Sequence, residues 1–170
     1  MHTNFNVKQA IIECLRNTGR NNIEAVIDYM EKNGYFTAQC FSHHRYRGGL
    51  ADHAWQTYQI ALNKEAKEQA KNPDKAPCEA NSIAITTLLH DFCKCKGMRE
   101  LGEGHHGKRS TDMLKELGLH LPVNEFLAIR FHMHRKKNIK HFLCKCYKDP
   151  QHWELHKLTH ESDSKSAKFR

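Results

Sequence analysis

Apolar residues recur along most of this chain at intervals of three and four positions, the spacing that places them on one face of an α-helix. Near the start of the chain this spacing is shown by Val7, Ala10, Ile11, Cys14 and Leu15. Only four prolines interrupt the sequence, and no stretch alternates strongly between apolar and polar residues as a half-buried strand would. The pattern therefore predicts an all-α chain that folds as a single-domain helical bundle.

Glycine, asparagine and proline residues divide the pattern into seven predicted helices. Asn22 is expected to cap the second helix, and Pro122 to open the sixth. Residues 136–149 are not assigned to an element. The predicted helices span about residues 7–17, 23–32, 50–71, 79–95, 108–117, 122–135 and 150–166.

The predicted fourth helix contains an unusual combination of residues. The apolar run 83–89 is followed directly by His90 and Asp91, and Lys94 falls four and three positions after them, on the same helix face. An imidazole and a carboxylate are costly to bury unless something pairs with them. Because a bound cation is the usual partner for adjacent nitrogen and oxygen donors, this segment predicts the centre of a metal site that handles phosphate.

Further candidate ligands lie at or near the ends of other predicted helices. Helical bundles build metal sites in this way, from inward-facing side chains on separate helices. Four imidazoles with two carboxylates suit a pair of divalent cations that share one bridging carboxylate. The candidates are His53, His90, Asp91, His106, His132 and Asp163. The histidines interpreted instead as solvated or structurally satisfied are His120, His141, His152, His156 and His160.

Length and charge narrow the range of partners. A chain of 170 residues fits one domain, and its net charge of +8, from 27 basic and 19 acidic residues, suits anionic partners. The first residues lack the apolar core of a signal peptide, and no run of about 18 apolar residues is present to span a membrane. A cytoplasmic protein without a membrane partner is therefore expected, with its seven cysteines as thiols or metal ligands rather than disulfides.

Five stretches of the sequence match motifs of one family. They are residues 35–53, which end in Gly48-Gly49-Leu50-Ala51-Asp52-His53; Leu89-His90-Asp91-Phe92-Cys93-Lys94; residues 104–110; Ile129-Arg130-Phe131-His132-Met133; and Leu158-Thr159-His160-Glu161-Ser162-Asp163. Together they resemble the HD-domain metal-dependent phosphohydrolases, over residues 35–166. In the stretch 104–110, the family's Gly-His-Gly-x-x-Ser turn aligns with His106 rather than His105.

The resemblance implies a fold and an activity. It implies an HD-type domain over residues 35–170, with its metal site in the core of a helical bundle and residues 1–34 packed on it as an N-terminal helical segment. Such a domain cleaves a phosphomonoester or phosphodiester bond of a nucleotide or nucleic-acid end with a metal-bound hydroxide. One metal would be held by His53, His90, Asp91 and Asp163, and Asp91 would bridge to a second held by His106 and His132.

Several features are left open by this resemblance. Iron, manganese, nickel, cobalt and zinc all accept such ligands, and a single-metal site is an alternative. Because Ser162 replaces the family's small apolar residue, Glu161 is the fallback for Asp163 as the last ligand.

Lys94 is expected to contact the phosphate and to act with Asp91 in catalysis. Further substrate contacts are expected from His43, His44 and Arg47. The identity of the substrate and the oligomeric state are not predicted.

Two non-catalytic alternatives use other residues. Two Cys-x-Cys pairs, at Cys93 and Cys95 and at Cys144 and Cys146, with His141 nearby, favour a structural zinc site. Structural zinc more often uses two to four residues between paired cysteines, so the spacing is a weak signal. The basic runs 135–140 and 165–170 instead favour nucleic-acid binding, although neither contains the interleaved aromatic residues of a stacking platform.

Overall fold

A computed structural model describes residues 6–40, 42–96, 106–134 and 151–168. Within these ranges the chain forms seven α-helices and one short 3-10 helix, and no strand. The prediction of an all-α chain is therefore confirmed for these ranges, and the arrangement is compatible with a helical bundle. The elements are α1 (Val7–Asn17), α2 (Ile23–Lys32), α3 (Gly49–Lys71), α4 (Ala80–Leu89), the 3-10 helix (Phe92–Lys96), α5 (His106–Glu116), α6 (Val123–Arg130) and α7 (Gln151–Ser166).

Helix α4 lies at the centre of the bundle. All its residues from Ser82 to Leu89 are buried, and it packs against α1, α3, α6 and α7. A helix that is apolar on all sides is buried on all sides, and this is the reason for its central position. The hydroxyls of Thr86 and Thr87 donate to the carbonyl oxygens of Ser82 and Ile83 at 2.8 and 2.6 Å, so their burial leaves no hydroxyl without a partner.

Helix α3 changes character along its 23 residues. Its first half, from Gly49 to Ala61, contains all of its buried residues and carries His53 into the interior. Its second half, from Leu62 onward, is largely solvated and charged. Among the helices that the structure describes, none has both the length and the apolar character needed to cross a bilayer.

The N-terminal helices share a core with the rest of the chain. Ile11 and Leu15 of α1 and Ile27 of α2 pack in one apolar cluster with Leu50 of α3 and Leu88 of α4. A second, smaller cluster joins α3, α4, α6 and α7. The division of the chain at residue 34 stays a prediction.

The predicted fourth helix, 79–95, is interrupted at its functional end. Regular α-helix ends at Leu89, and a 3-10 helix begins at Phe92. The Lys94 amide donates to the Asp91 carbonyl oxygen at 2.9 Å, a bond between residues three apart. The Lys94 side chain pairs with the Asp91 carboxylate across this turn.

Two further details differ from the sequence predictions. Helix α6 ends at Arg130, five residues before the predicted end, so His132 lies beyond the helix. Asn22 precedes α2 but makes no capping bond with its side chain, because its φ of 64° is left-handed and its amide donates to the Gly118 carbonyl oxygen at 2.8 Å.

A partly buried ion pair connects the α1–α2 turn to α6. Arg20 donates to Glu125, whose side chain is 0% exposed, and the Ser82 hydroxyl donates to the same carboxylate oxygen at 2.7 Å. Arg20→Ala would leave this carboxylate buried without its counter-charge. We expect a loss of about 3–5 kcal/mol in the free energy of unfolding, measured by urea denaturation.

Two further variants separate this ion pair from a general effect of losing an arginine. Arg16→Ala removes an exposed arginine that pairs with Glu24, and its effect on stability should be small. Arg20→Ala combined with Glu125→Gln should recover much of the loss, because the unpaired buried charge is then gone. Equal effects of Arg20→Ala and Arg16→Ala would contradict the prediction.

Candidate metal centre

His53 enters the centre from the start of α3 and is fully buried. Its Nδ1 lies 3.0 Å from the Ser166 hydroxyl of α7. That hydroxyl has acceptors for its own proton, the His53 carbonyl oxygen at 3.3 Å and Gln56 Oε1 at 3.4 Å. The His53 Nδ1–H therefore donates to Ser166, which leaves the lone pair of His53 Nε2 available inside the bundle.

His90 follows the last residue of α4 and is also fully buried. Its Nδ1 lies 2.8 Å from the Thr87 carbonyl oxygen. A carbonyl oxygen only accepts, so Nδ1 carries a proton and Nε2 is the atom that faces the centre. Metal-binding histidines are commonly oriented by such a bond from the second ring nitrogen.

The same arrangement recurs at His132, just beyond α6. Its Nδ1 donates to the Ile129 carbonyl oxygen at 2.8 Å, three residues earlier in the chain. The imidazole is 1% exposed, and its Nε2 faces Asp91. Three buried histidines thus present Nε2 to one centre, each with Nδ1 in another bond.

Helix α7 contributes Asp163, and not the fallback Glu161. Asp163 Oδ1 lies 3.0 Å from His53 Nε2 and 3.6 Å from His90 Nε2. Glu161 is exposed and pairs with Lys64 of α3 at the surface. Residues two positions apart point to different faces of a helix, so only one of the two carboxylates reaches the centre.

The distances within the first group fit a single cation. His53 Nε2 and His90 Nε2 are 3.2 Å apart, and Asp163 Oδ1 completes the triangle. Nitrogen and oxygen donors bound about 2.0–2.2 Å from zinc lie about 3.0–3.5 Å from one another. The three donor atoms of His53, His90 and Asp163 therefore have the separation of ligands of one ion.

Asp91 faces two directions with its two oxygen atoms. Oδ2 lies 3.6 Å from His90 Nε2 and 4.0 Å from His53 Nε2, and it also pairs with the Lys94 amine. Oδ1 lies 3.6 Å from His132 Nε2. A carboxylate arranged in this way can bridge two adjacent positions, one at His53 and His90 and the other at His132.

Two buried polar atoms of this centre lack a hydrogen-bond partner among the described residues. They are Asp91 Oδ1 and His132 Nε2. Burying such an atom without a partner costs about 1–3 kcal/mol. Both atoms are Lewis bases that face each other, so a cation between them would satisfy both at once.

The electrostatics of the centre favour positive charge. Burial alone would raise the pKa of Asp91, but the Lys94 ammonium and the His90 imidazole outweigh it and hold that pKa well below its usual value. Burial lowers the pKa of His132 to about 4, with repulsion from His90 next in size. For His90, burial is outweighed by Asp91 and Asp163, and its pKa is raised. The two carboxylates thus stabilise whatever positive charge lies between the imidazoles.

His43 and His44 extend the centre toward solvent. Their Nδ1 atoms are 3.0 Å apart, and His44 Nε2 lies 3.0 Å from Gln56 Oε1. The His43 ring packs against His53 with 4.4 Å between ring centroids, and potential ligand atoms of all three histidines lie within 4.8 Å of one another. His43 is only partly buried whereas His44 and His53 are buried, so His43 is the most accessible of the three.

Gly49 allows His44 to approach α3. A Cβ added at Gly49 would clash with the His44 carbonyl group, so only glycine fits this close contact. Arg47 lies in the same connector but is exposed, and lines a surface cavity with Lys8 and Asp52. The structure therefore brings His43 and His44 to the centre and leaves Arg47 at the surface.

His106 is the one predicted ligand outside these groups of close donor atoms. It is the first residue of α5, and the next residue, Gly107, meets the end of α6. A Cβ at Gly107 would clash with the carbonyl oxygens of Ile129 and Arg130. The backbone of His106 is therefore close to the segment that carries His132.

The cysteines of the zinc alternative are only partly described. Cys93 and Cys95 are both buried. Burial raises the pKa of Cys93, its amide donates to Ser110 Oγ at 3.1 Å, and its thiol donates to the His106 carbonyl oxygen at 3.4 Å. Cys144, Cys146 and His141 lie outside the described residues, so the four-cysteine site stays a prediction.

The sequence patterns did not identify the residues that orient the candidate ligands. Ser166 holds His53, and His156 and His160 donate to backbone carbonyls beside His132. The spacing of α7 contained a signal, because positions 156, 160, 163 and 166 follow helical intervals of three and four. A histidine or serine in register with a ligand on the same helix is a candidate for orienting that site.

Comparison with known proteins identifies no relative of this chain. No protein-family model matches the chain, and no curated protein or solved structure matches it significantly. The function of the protein is therefore inferred from its own residues and their geometry.

Proposed function

We propose that this protein is a metal-dependent phosphohydrolase of the HD-domain type. Its reaction would cleave a phosphomonoester or phosphodiester bond in a nucleotide or at a nucleic-acid end. The observation that carries the proposal is the convergence of buried donor atoms from distant parts of the chain: His53, His90, Asp91, His132 and Asp163. These residues are also the ones that the motifs resembling the family single out.

The donor set fits divalent transition metals. Imidazole and carboxylate ligands accept iron, manganese, nickel, cobalt and zinc, and the separations around His53 suit a first ion. A second ion is proposed between Asp91 Oδ1 and His132, with His106 as the additional ligand that the resemblance implies. When bound, two such cations would lower the pKa of a water molecule and neutralise charge on the phosphoryl oxygens.

The residues of the chain would divide the remaining work. His90 and His132 are held by backbone carbonyls, so their Nε2 atoms need no reorientation before ligation. Burial would lower the pKa of Lys94, but Asp91 outweighs it and raises that pKa, so the ammonium keeps its charge. A buried cation beside the bridging carboxylate suits a phosphoryl oxygen, which is the contact that we propose for Lys94.

The solvent side of the centre supports a phosphorylated substrate. His43 is the most accessible histidine of the group, and it lies next to the ligand His53. The net charge of +8 favours the approach of anions such as nucleotides and oligonucleotides. His43 and His44 are therefore proposed to contact the substrate beside the metals.

Metal reconstitution tests this proposal. The chelated protein would be loaded with manganese, iron, cobalt, nickel or zinc and screened against nucleotides, a generic phosphodiester and short oligonucleotides. We expect hydrolysis that requires the metal and stops on renewed chelation. Tight, salt-dependent binding of RNA or DNA that survives chelation, with no hydrolysis under any metal, would favour a non-catalytic nucleic-acid-binding module instead.

A further inference from the structure

His132 is a candidate ligand whose backbone is not held by a helix. Helix α6 ends at Arg130, and Phe131 is its C-cap. Beyond that point, carbonyl groups need donors from elsewhere when they are buried. The orientation of the His132 side chain therefore depends on whatever binds the carbonyl groups around it.

The His134 amide donates to the Phe131 carbonyl oxygen at 2.8 Å, and two histidines of α7 provide the further donors. His156 Nε2 lies 2.9 Å from the Phe131 carbonyl oxygen, and His160 Nδ1 lies 2.5 Å from the His132 carbonyl oxygen. Since a carbonyl oxygen only accepts, both ring nitrogens carry the proton in these bonds. The two residues are four positions apart, one helical turn, and their rings are nearly parallel, at 5°.

These bonds hold the peptide groups on both sides of His132. The Phe131 carbonyl belongs to the peptide group that precedes the His132 Cα, and the His132 carbonyl to the one that follows. Fixing both peptide planes fixes the backbone dihedral angles of His132. Its own Nδ1 bond to Ile129 then fixes the ring, with Nε2 at 3.6 Å from Asp91 Oδ1.

The surroundings of the two histidines fit an orienting role. His156 is 1% exposed and packs edge-on against Trp153, with 5.4 Å between ring centroids. Its donor direction is therefore set by packing before any ligand binds. Neither His156 nor His160 belongs to the groups of close ligand atoms, although α7 also carries Asp163. Helix α7 thus reaches the centre twice, through a ligand and through these two donors.

We propose that His156 and His160 are positioning residues that hold the backbone of His132 in the orientation needed for cation binding at Asp91 Oδ1. The metal-binding part of this inference rests on the proposed function, whereas the orientation of His132 is a property of the protein alone. The essential feature of each residue is its N–H donor and not the bulk of its ring.

Matched substitutions separate the donor from the ring. His160→Asn keeps an N–H close to the position of Nδ1, and His160→Phe keeps the ring without a donor. His156→Gln and His156→Phe form the corresponding pair for Nε2. His120→Phe, at an exposed histidine on the α5–α6 connection, is the control. Circular dichroism and thermal melting identify any variant that does not fold, and the Asn and Gln variants then carry the test.

The first measurement is manganese binding by calorimetry and elemental analysis, without any substrate. For His160→Phe and His156→Phe we expect the affinity of one cation to fall about 10- to 100-fold, as when other residues that orient metal ligands are replaced. The Asn and Gln variants and His120→Phe should bind like the parent protein. Phe variants that bind as the parent does, or Asn and Gln variants that lose as much as the Phe variants, would overturn the proposal.

The second measurement uses the metal-free protein and does not depend on the proposed function. Nitrogen-15 spectra of the His132 ring report which nitrogen carries the proton. We expect the form protonated on Nδ1 in the parent, in His160→Asn and in His120→Phe, and a mixture of forms in His160→Phe. An unchanged His132 spectrum in His160→Phe would refute the positioning role, whereas a parent protein that binds no cation would refute only the proposed function.

Discussion

Replacing Asp91 with alanine is expected to abolish both metal binding and phosphohydrolase activity while the helical content survives. Asp91 is the only residue among those described whose two carboxylate oxygens face different histidines of the centre, His90 and His132. Its removal therefore affects both proposed cation positions at once. Metal content by elemental analysis, hydrolysis after reconstitution and far-ultraviolet circular dichroism measure the three quantities.

A second substitution at this position separates charge from shape. Alanine leaves the buried Lys94 ammonium without its partner, which costs about 3–5 kcal/mol when one member of a buried pair is removed. Asp91→Asn keeps the size of the side chain but loses the negative charge, and it should fail to bind metal as Asp91→Ala does. Asp28→Asn, at an exposed position of α2, is the matched control and should behave as the parent protein. Full activity in either Asp91 variant would refute the bridging role.

The second large effect is expected from Gly107→Ala. A Cβ at this position would clash with the backbone carbonyls of Ile129 and Arg130, so the start of α5 must move away from the segment that carries His132. Overpacking of this kind costs about 1–3 kcal/mol of stability. We expect the cation at Asp91 Oδ1 and His132 to be lost, and the cation at His53, His90 and Asp163 to be retained.

Manganese stoichiometry measures this outcome, and a second glycine is the control. Gly19→Ala places a side chain at a φ of 63° with nothing within 4 Å, so it also strains the backbone but lies outside the centre. It should lower the melting temperature without any change in metal content. If Gly107→Ala bound the same number of cations as the parent protein, the contact between α5 and the His132 segment would not be part of the site.

Much of the fold follows from local sequence patterns. The bounds predicted for α1 and α2 agree with the structure because the apolar spacing and the glycine stops are properties of adjacent residues. The buried position of α4 follows in the same way from its apolar run, since such a helix has no polar face to expose. Local patterns also single out His90 and Asp91, because a histidine and a carboxylate after an apolar run need a partner wherever they lie.

Contacts between distant residues decide the remaining features. Helix α6 ends before His132, and the carbonyl groups after that end are bound by His156 and His160, which lie 25 and 28 positions later. The bond between His53 and Ser166 joins residues 113 positions apart. Periodicity within α7 places His156, His160 and Ser166 in register with Asp163, but it does not identify the distant residues that they contact.

By itself, the sequence determined that the chain is helical and which histidines and aspartates are candidate ligands. Only the tertiary structure decided which of them meet: it brings Asp163 rather than Glu161 to His53, turns the two oxygens of Asp91 toward different histidines, and leaves Arg47 at the surface. The physical reason is geometric. Helical spacing determines the face on which a residue lies, but the packing of helices against one another determines which faces share a centre.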